Sequence, residues 1–132
     1  MSGMLAGYRA LDLTDCKGWL CGRVLADMGV EVIKIEPPGG DPDRMRGPFY
    51  HGEAHPEKGL WWWAYNLGKK GITLDFNAPS GRDLFRSLVK QADFVIESFP
   101  PGHLEGLGLG YADLRPLNPA LIWTSITPFG QD

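Results

Sequence analysis

Apolar and polar residues follow two alternating spacings along this chain, one typical of strands and the other of helices. Short apolar runs that end in polar or proline-rich turns predict strands at residues 8–14, 31–36, 69–76, 93–98 and 121–126. Apolar residues at helical spacing predict helices over 19–29 and 78–92, and a short helix precedes the last strand. We therefore predict a Rossmann-like α/β fold: a mostly parallel, doubly wound sheet with helices on both faces.

Each predicted helix has an apolar stripe. In the first helix the apolar positions are Leu20, Val24, Leu25 and Met28, followed by Gly29 as a C-terminal cap. The second helix is expected to pack on the sheet through Leu84, Phe85, Leu88 and Val89.

Residues 41–59 interrupt the alternation. They are rich in Pro, Gly, Asp and His, so we predict a long surface loop, and loops of this length are often functional. Three consecutive tryptophans, Trp61 to Trp63, follow it. Consecutive side chains cannot all point to one side of a helix or strand, so at least one must face away from the core and suggests a partner surface.

Size and charge exclude several classes of protein. The 132 residues suffice for one core, and a net charge of -3 provides no basic excess for nucleic acid as the main partner. No apolar run reaches the roughly 18 residues of a membrane span, and the first ten residues do not resemble a signal peptide. We expect a cytoplasmic protein. Because the chain stops directly after its last predicted strand, we also expect a fragment of a larger fold.

Common catalytic and metal-binding motifs are missing from the sequence. Cys16 and Cys21 are too far apart for a zinc or redox pair, and we expect two buried thiols on one helix. His51 and His55 flank a glycine and precede Pro56, so a helical metal pair is not expected, and for His103 we expect an ordinary solvated role. No dinucleotide fingerprint, phosphate-binding loop or nucleophile elbow occurs, although Glu36 stands near the acidic position of a dinucleotide site. We predict no metal.

The function should therefore be sought in the loops that follow the strands. In an open α/β sheet, ligands bind beyond the carboxyl ends of the strands, which here are the sequences TDCKG, EPPGG, DFNAPS, SFPPG and TPFGQ. All five contain glycine or proline, which suit close backbone approach or a fixed turn.

Four longer stretches carry a family resemblance, and they occur in one order: LAGYRALDLTD, GRVLADMGVEVIKIEPPGGDP, WWAYNLGKKGITLDFNAPSGRDLFRSLVKQADFVIESFPPG and LGLGYADLRPLNPALIWTSITPFGQ. Together they resemble the amino-terminal part of the family III CoA-transferases (CaiB/BaiF-like), a group that also contains acyl-CoA racemases. The resemblance covers nearly the whole chain, which would make residues 1–132 the CoA-binding amino-terminal portion of a larger fold.

The resemblance implies a coenzyme A site on the strand-end loops, with CoA or acyl-CoA as substrate. Phe99 would offer a flat face to adenine, and ESFPPG (residues 97–102) would be the rigid turn that holds it. The implied CoA-binding residues are Cys16, Lys17, Gly18, Glu36, Pro37, Leu74, Asp75, Asn77, Ser98, Phe99, Pro100, Pro101, Gly102 and Leu107.

The chain departs from the family pattern where phosphates would be bound. Many relatives have a basic residue where Pro37 stands and another where Gly106 stands; N-F-x-P-G is often found where this chain has Ser98 to Gly102, and Ala-Gly-Pro where it has Lys17 to Trp19. Phosphate contacts must therefore be distributed differently. The candidates are Lys17, Arg44 and Lys69.

The family's nucleophilic aspartate lies tens of residues beyond the FGQ phrase, so no catalytic residue is assigned here. In the implied mechanism that carboxylate attacks an acyl-CoA thioester, and CoA finally passes to a carboxylic acid acceptor. We expect this chain to be inactive alone and to act with a carboxyl-terminal part or a second polypeptide, in an interlocked dimer. An acyl-CoA racemase part, a non-catalytic CoA-binding module and a nucleotide-dependent Rossmann enzyme are the alternatives.

Overall fold

Residues 3–132 form one sheet of five strands, all of them parallel. The structure is a computed structural model that describes residues 3–132. The strands are β1 (Arg9–Leu13), β2 (Glu31–Glu36), β3 (Lys70–Thr73), β4 (Phe94–Glu97) and β5 (Ile122–Ser125). Each lies inside or coincides with a predicted strand. The predicted parallel α/β fold is confirmed.

The order of the strands in the sheet is β3-β2-β1-β4-β5. The chain builds outwards from β1 through β2 to β3, and then crosses to the other side of β1 to add β4 and β5. The direction of winding reverses between β1 and β4. Ligands of open α/β sheets bind at such a switch point, outside the carboxyl ends of the strands.

In the described part of the chain, five α-helices connect the strands. They are α1 (Trp19–Asp27), α2 (Leu60–Asn66), α3 (Pro79–Val89), α4 (His103–Gly106) and α5 (Tyr111–Leu114). The spacing of apolar residues did not predict α2. The excursion over residues 41–59 is confirmed: it carries two 3₁₀ turns, Pro42–Met45 and Tyr50–Gly52, and a single bridge between Phe49 and Gly59 closes it.

The main apolar core lies on the face of the sheet covered by α3, α4 and α5. The alternation along β1 directs Leu11 and Leu13 to this face, where Phe85 of α3 is fully buried. The buried members of this cluster are Leu11, Leu13, Ile35, Phe85, Val89, Ala92, Val95, Leu104, Leu109, Leu114 and Leu121.

The opposite face, under α1, combines a small apolar cluster with buried charge. Ala10, Val30 and Val32 form the apolar part. Next to it, the fully buried Asp12 carboxylate lies 2.7 Å from the ammonium of Lys69 and 3.5 Å from that of Lys34. The charged groups also bond to the backbone: Lys69 donates to the Trp19 carbonyl, and Lys34 donates to that of Thr14.

Gly22 allows α1 to lie directly over this ion cluster. A Cβ at this position would lie 2.3 Å from an Asp12 carboxylate oxygen and 3.0 Å from the Lys69 nitrogen. A larger residue would therefore displace the cluster or the helix.

Some expectations about side-chain burial were wrong. In α1 Leu20 and Val24 are exposed, because Trp19 and Gly22 face the sheet instead, and in α3 Leu84 is 56% exposed. Apolar spacing identified the helices but overestimated the width of the buried face.

The cysteine expectation was also wrong in part. Cys16 lies in the turn before α1, so the thiols do not share a helix, and both are only half-buried. No helix within residues 3–132 is long and apolar enough to cross a membrane.

Removal of the Asp12 carboxylate should strongly destabilise the fold. Asp12→Ala leaves two buried ammonium groups without their carboxylate, and the expected loss in free energy of unfolding is about 3–5 kcal/mol. Urea denaturation measures it. Asp83→Ala is the matched control, because the Asp83 side chain is exposed and pairs only with Arg86 in the same helix. Equal losses in both variants would contradict a structural role for the buried cluster.

Candidate functional site

A cleft of about 270 Å³ opens at the carboxyl ends of β1, β2, β3 and β4. Apolar side chains at the strand ends form the floor of the cleft. Leu13 is the last residue of β1, and Ile35 lies near the end of β2. Leu74 and Phe76 come from the loop after β3, and Phe99 comes from the turn after β4. The cleft therefore lies where the strand order reverses.

The cleft brings together half of the residues implied as CoA-binding. Those that line it are Glu36, Pro37, Leu74, Asp75, Asn77, Phe99 and Leu107. The others, which do not line it, are Cys16, Lys17, Gly18, Ser98, Pro100, Pro101 and Gly102. The second group lies in the same strand-end turns, just before α1 and just before α4.

The turn ESFPPG is fixed at both ends by hydrogen bonds. The buried Ser98 hydroxyl donates to the Asp15 carboxylate at 2.9 Å and accepts from the Asp15 N–H at 2.9 Å, which joins this turn to the loop after β1. The Phe99 N–H donates to the Glu97 carboxylate at 2.8 Å. Gly102 adopts φ +83°, a left-handed conformation that glycine allows at the start of α4.

Phe99 is held with one ring face against an imidazole. Its ring and that of His103 stack with centroids 4.7 Å apart and an angle of 23° between planes. The aromatic ring is half-buried at the cleft, in a turn that the hydrogen bonds of Ser98 and Glu97 hold. Whether that ring meets adenine stays a prediction.

The end of β2 is anchored by an arginine from the long loop. Arg44 donates to both oxygens of the Glu36 carboxylate, at 2.7 and 2.9 Å, and the Asp41 N–H donates to one of them at 2.8 Å. The Arg44 guanidinium also lies 3.7 Å from the ring centre of Trp62. Burial by itself raises the pKa of Glu36, but the bonds from Arg44 and Asp41 outweigh it, so the pKa lies below its usual value.

Trp62 is the member of the tryptophan run that packs inwards. It meets Trp19 edge to face at 5.3 Å, whereas Trp61 and Trp63 are 47% and 42% exposed. The prediction that at least one tryptophan faces outwards is confirmed, since both Trp61 and Trp63 are exposed. The inward one supports the loop that holds Glu36.

Cys16 occupies a polar turn beside the cleft. Its N–H donates to the Asp43 carboxylate at 3.0 Å, and the Asp43 carboxylate accepts a second bond from Arg46. Burial raises the pKa of the Cys16 thiol, and Asp43 adds to the effect. The thiol is therefore protonated at neutral pH, which does not favour a nucleophile.

The three basic candidates for phosphate contact have different surroundings. The Lys17 side chain is 45% exposed and pairs with Asp15 in the loop after β1, so its ammonium is open to solvent. The Arg44 side chain is 15% exposed and already holds Glu36. The Lys69 side chain is 1% exposed and bonded to Asp12, Trp19 and Asn66. Lys69 was a wrong candidate, because its ammonium belongs to the ion cluster beneath α1.

Sequence reasoning missed several residues of the cleft. Asp15, Asp41 and Phe76 line it, as does His103, for which an ordinary solvated role was expected. Asp15 and Phe76 stand inside the strand-end loops TDCKG and DFNAPS, so their position was a usable signal. The stacking of His103 on Phe99 depends on the turn geometry and had no local signal.

Comparison with known proteins agrees with this architecture. The model of the protein family described as CoA-transferase family III matches residues 5–132. The chain belongs to CoA-transferase family III. Solved structures of the CaiB/BaiF group give the same fold: one of Rv3272 from Mycobacterium tuberculosis has a TM-score of 0.88 at 39% identity, over 99% of this chain and 36% of that one. A CaiB/BaiF family protein from Brucella suis has a TM-score of 0.85 at 40% identity, over 95% of this chain and 33% of that one.

Curated members of CoA-transferase family III are similar throughout the chain. Succinyl-CoA–D-citramalate CoA-transferase of Chloroflexus aurantiacus is 48% identical over 117 residues, which are 86% of this chain and 28% of the relative. Succinate–glutarate CoA-transferase of Agrobacterium fabrum is 45% identical over 131 residues, 96% of this chain and 33% of the relative. The chain thus spans about a third of the length of the curated relatives it matches.

The pair formed by Arg44 and Glu36 predicts a pH-dependent contribution to stability. Because the folded-state pKa of Glu36 lies below its unfolded value of about 4.3, the pair stabilises the fold above that pH. The contribution is lost as the pH falls through the folded-state pKa. Arg44→Met should therefore lower the free energy of unfolding by about 3 kcal/mol at pH 7, and by progressively less as the pH falls below the unfolded pKa and through the folded-state pKa of Glu36.

Urea denaturation of both proteins across this pH range checks the difference. Arg46→Met is the control, because the Arg46 guanidinium is exposed and pairs with Asp43 at the surface. A deficit in Arg44→Met that does not shrink as the solution is acidified from pH 7 through the titration of Glu36 would show that packing on Trp62, rather than the charge of Glu36, explains the loss.

Proposed function

We propose that this chain is the CoA-binding part of a family III CoA-transferase, which moves coenzyme A from an acyl-CoA to a carboxylic acid. The observation that carries the proposal is the cleft at the strand-order reversal, lined by Glu36, Asp75 and Phe99 among the residues implied as CoA-binding. Membership of CoA-transferase family III supports a CoA thioester as substrate.

The cleft has the chemistry of a binding site for a flat, mainly apolar group. Its floor is apolar, and the ring of Phe99 is held half-buried by the turn after β4. A heterocycle such as adenine gains dispersion and stacking energy on such a surface. The pantetheine arm would then run out of the cleft towards the residues that perform the chemistry.

The proposed chemistry follows the family mechanism. The carboxylate of an aspartate outside these 132 residues attacks the acyl-CoA carbonyl. The C–S bond breaks, CoA departs as the thiolate, and an acyl-aspartyl anhydride is formed. The thiolate then attacks the aspartyl carbonyl to give an enzyme thioester and the free acid. Attack by the acceptor carboxylate and return of the thiolate yield the new acyl-CoA and restore the aspartate. In this scheme the present chain binds and orients CoA.

Transfer is preferred to racemisation because the relatives named above are CoA-transferases. Several of the names specify succinyl-CoA or succinate with a second acid, so we propose a dicarboxylic acid as one substrate. We further propose a cytoplasmic protein that acts in an interlocked dimer, as the family resemblance implies.

Removal of the Phe99 ring should weaken CoA binding by about tenfold, the loss expected for one base–aromatic stack. Isothermal titration of CoA into the purified chain and into Phe99→Ala measures the change. Trp61→Ala is the matched control, since Trp61 is exposed on α2 and does not line the cleft. Equal binding by the wild type and Phe99→Ala would remove Phe99 from the site, and absence of CoA binding to the wild-type chain would contradict the proposed function.

The purified chain should bind CoA without turning it over. Succinyl-CoA is incubated with glutarate, mesaconate or citramalate, and mass spectrometry follows the appearance of the second acyl-CoA. We expect none from this chain alone, because the nucleophilic carboxylate is supplied from outside it. Formation of the product thioester by the chain alone would refute that division of labour.

A further inference from the structure

The short helix α2 contains no charged residue. Its sequence, LWWWAYN, is apolar or aromatic at every position except the last, Asn66, which is buried. Helix α3, in contrast, carries Arg82, Asp83 and Arg86 among its eleven residues. An ordinary surface helix has a charged or polar side, whereas a helix that is apolar on all sides is normally buried. The composition of α2 is therefore that of a helix covered by other protein.

Helix α2 nevertheless lies at the surface of the part of the chain that the structure describes. Its inner side is formed by Trp62 and Asn66. The other residues of the helix are exposed, and all five are apolar or aromatic: Leu60, Trp61, Trp63, Ala64 and Tyr65. The rings of Trp61 and Tyr65 pack edge to face, with centroids 6.2 Å apart. Exposed tryptophan and tyrosine side chains that hold one another in this way are typical anchors of protein–protein interfaces.

The neighbouring helix α1 extends this apolar surface. Leu20 and Val24, four residues apart on one side of α1, are 57% and 47% exposed. The Arg23 guanidinium donates to the Ala64 carbonyl at 3.1 Å, which holds α1 and α2 side by side. We call the large exposed apolar residues of the two helices the aromatic face: Leu20, Val24, Leu60, Trp61, Trp63 and Tyr65. Single exposed apolar side chains are ordinary on a monomer, but a group on two adjacent helices indicates an interaction surface.

The layer of side chains beneath the aromatic face also supports the cleft. The Arg44 guanidinium packs on the ring of Trp62 and holds the Glu36 carboxylate, which lines the cleft. The Trp19 indole N–H donates to the Asp41 carboxylate at 3.1 Å, and Asp41 lines the cleft as well. The aromatic face and the cleft wall therefore rest on the same layer of side chains.

We infer that the aromatic face is the docking surface for the carboxyl-terminal part of the family III fold, the part that supplies the nucleophilic aspartate. The curated relatives are about three times as long as this chain, so most of their fold lies outside the region they share with it. The choice of occupant rests on the proposed function. A nucleophile has to come close to CoA bound in the cleft, and a second copy of these 132 residues would bring none.

The test measures assembly with a defined partner. The probe is the carboxyl-terminal two thirds of the Agrobacterium fabrum succinate–glutarate CoA-transferase, in a form that assembles with its own amino-terminal third. That third is the segment 45% identical to this chain. Size-exclusion chromatography with light scattering detects the complex with this chain, and titration measures its affinity.

We expect an equimolar complex with the wild-type chain and at least tenfold weaker binding by Trp61→Ala, since a tryptophan at the centre of an interface is a dominant anchor. Trp61→Phe keeps an aromatic ring and should recover most of the affinity. Leu84→Ala is the matched control, because Leu84 is 56% exposed on α3, on the opposite face of the sheet. Urea midpoints and CoA titration confirm that each variant folds and keeps its cleft, which Trp61 does not line.

Three results would overturn the inference. Absence of a complex with the wild type, or equal affinity of the wild type and Trp61→Ala, removes the carboxyl-terminal part from the aromatic face. Dimers of the chain alone that Trp61→Ala dissociates give the face to a second copy instead. A chain that assembles without binding CoA keeps the docking surface and contradicts the proposed function, whereas CoA binding without assembly does the reverse.

Discussion

The buried carboxylate of Asp12 joins three parts of the sheet through charge. It stands on the central strand β1, opposes Lys34 on β2 and reaches Lys69 immediately before β3. It also accepts from the Thr14 N–H at 2.9 Å and from the Thr14 hydroxyl at 2.6 Å. One carboxylate therefore links β1 to β2 and to the residue before β3, and it also bonds the chain where it leaves β1. Removing charge from water is costly, so the cluster is stable only while each of these partners is present.

This constraint extends directly to the cleft. Thr14, which is bonded to Asp12, is followed by Asp15, and Asp15 forms two hydrogen bonds with Ser98 in the turn after β4. The loop after β1 and the turn after β4, which flank the strand-order reversal, are therefore joined. On the β2 side, Arg44 and Trp62 fix Glu36 in a comparable way. The walls are thus held by internal bonds, and a ligand meets a largely preformed surface.

The pockets at the carboxyl and amino ends of the strands differ in chemistry more than in volume. A hollow of similar volume, about 280 Å³, lies at the amino ends of the strands. There Arg9 pairs with Glu31 at 2.5 Å, and its backbone N–H donates to the Asp93 carboxylate at 2.8 Å. The carboxyl edge instead combines an apolar floor, a stacked aromatic pair and the Asp75 carboxylate. Chemistry rather than volume therefore distinguishes the candidate site.

Local patterns predicted the strands, the two longer helices and the loops around the cleft, because those features depend on spacing of two or about four residues and on prolines and glycines. Contacts between residues distant in sequence were not predictable in this way. Lys69 and Lys17 are both lysines in short connecting segments, and only the fold shows that the first is buried on Asp12 while the second is exposed. The exposure of Leu20 and Leu84, and the stacking of His103 on Phe99, likewise depend on which neighbour the tertiary structure supplies.

We propose that the carboxyl edge of the sheet, at the reversal of strand order, binds coenzyme A. Mapping of backbone amide shifts by nuclear magnetic resonance during titration of the chain with CoA tests it directly, since both edges are observed together. We expect the amide shifts to change most at Asp15, Glu36, Asp75 and Phe99. The amide signals of Arg9, Glu31 and Asp93 at the amino edge should remain unchanged. Shifts concentrated at the amino edge, or outside both edges, would contradict it.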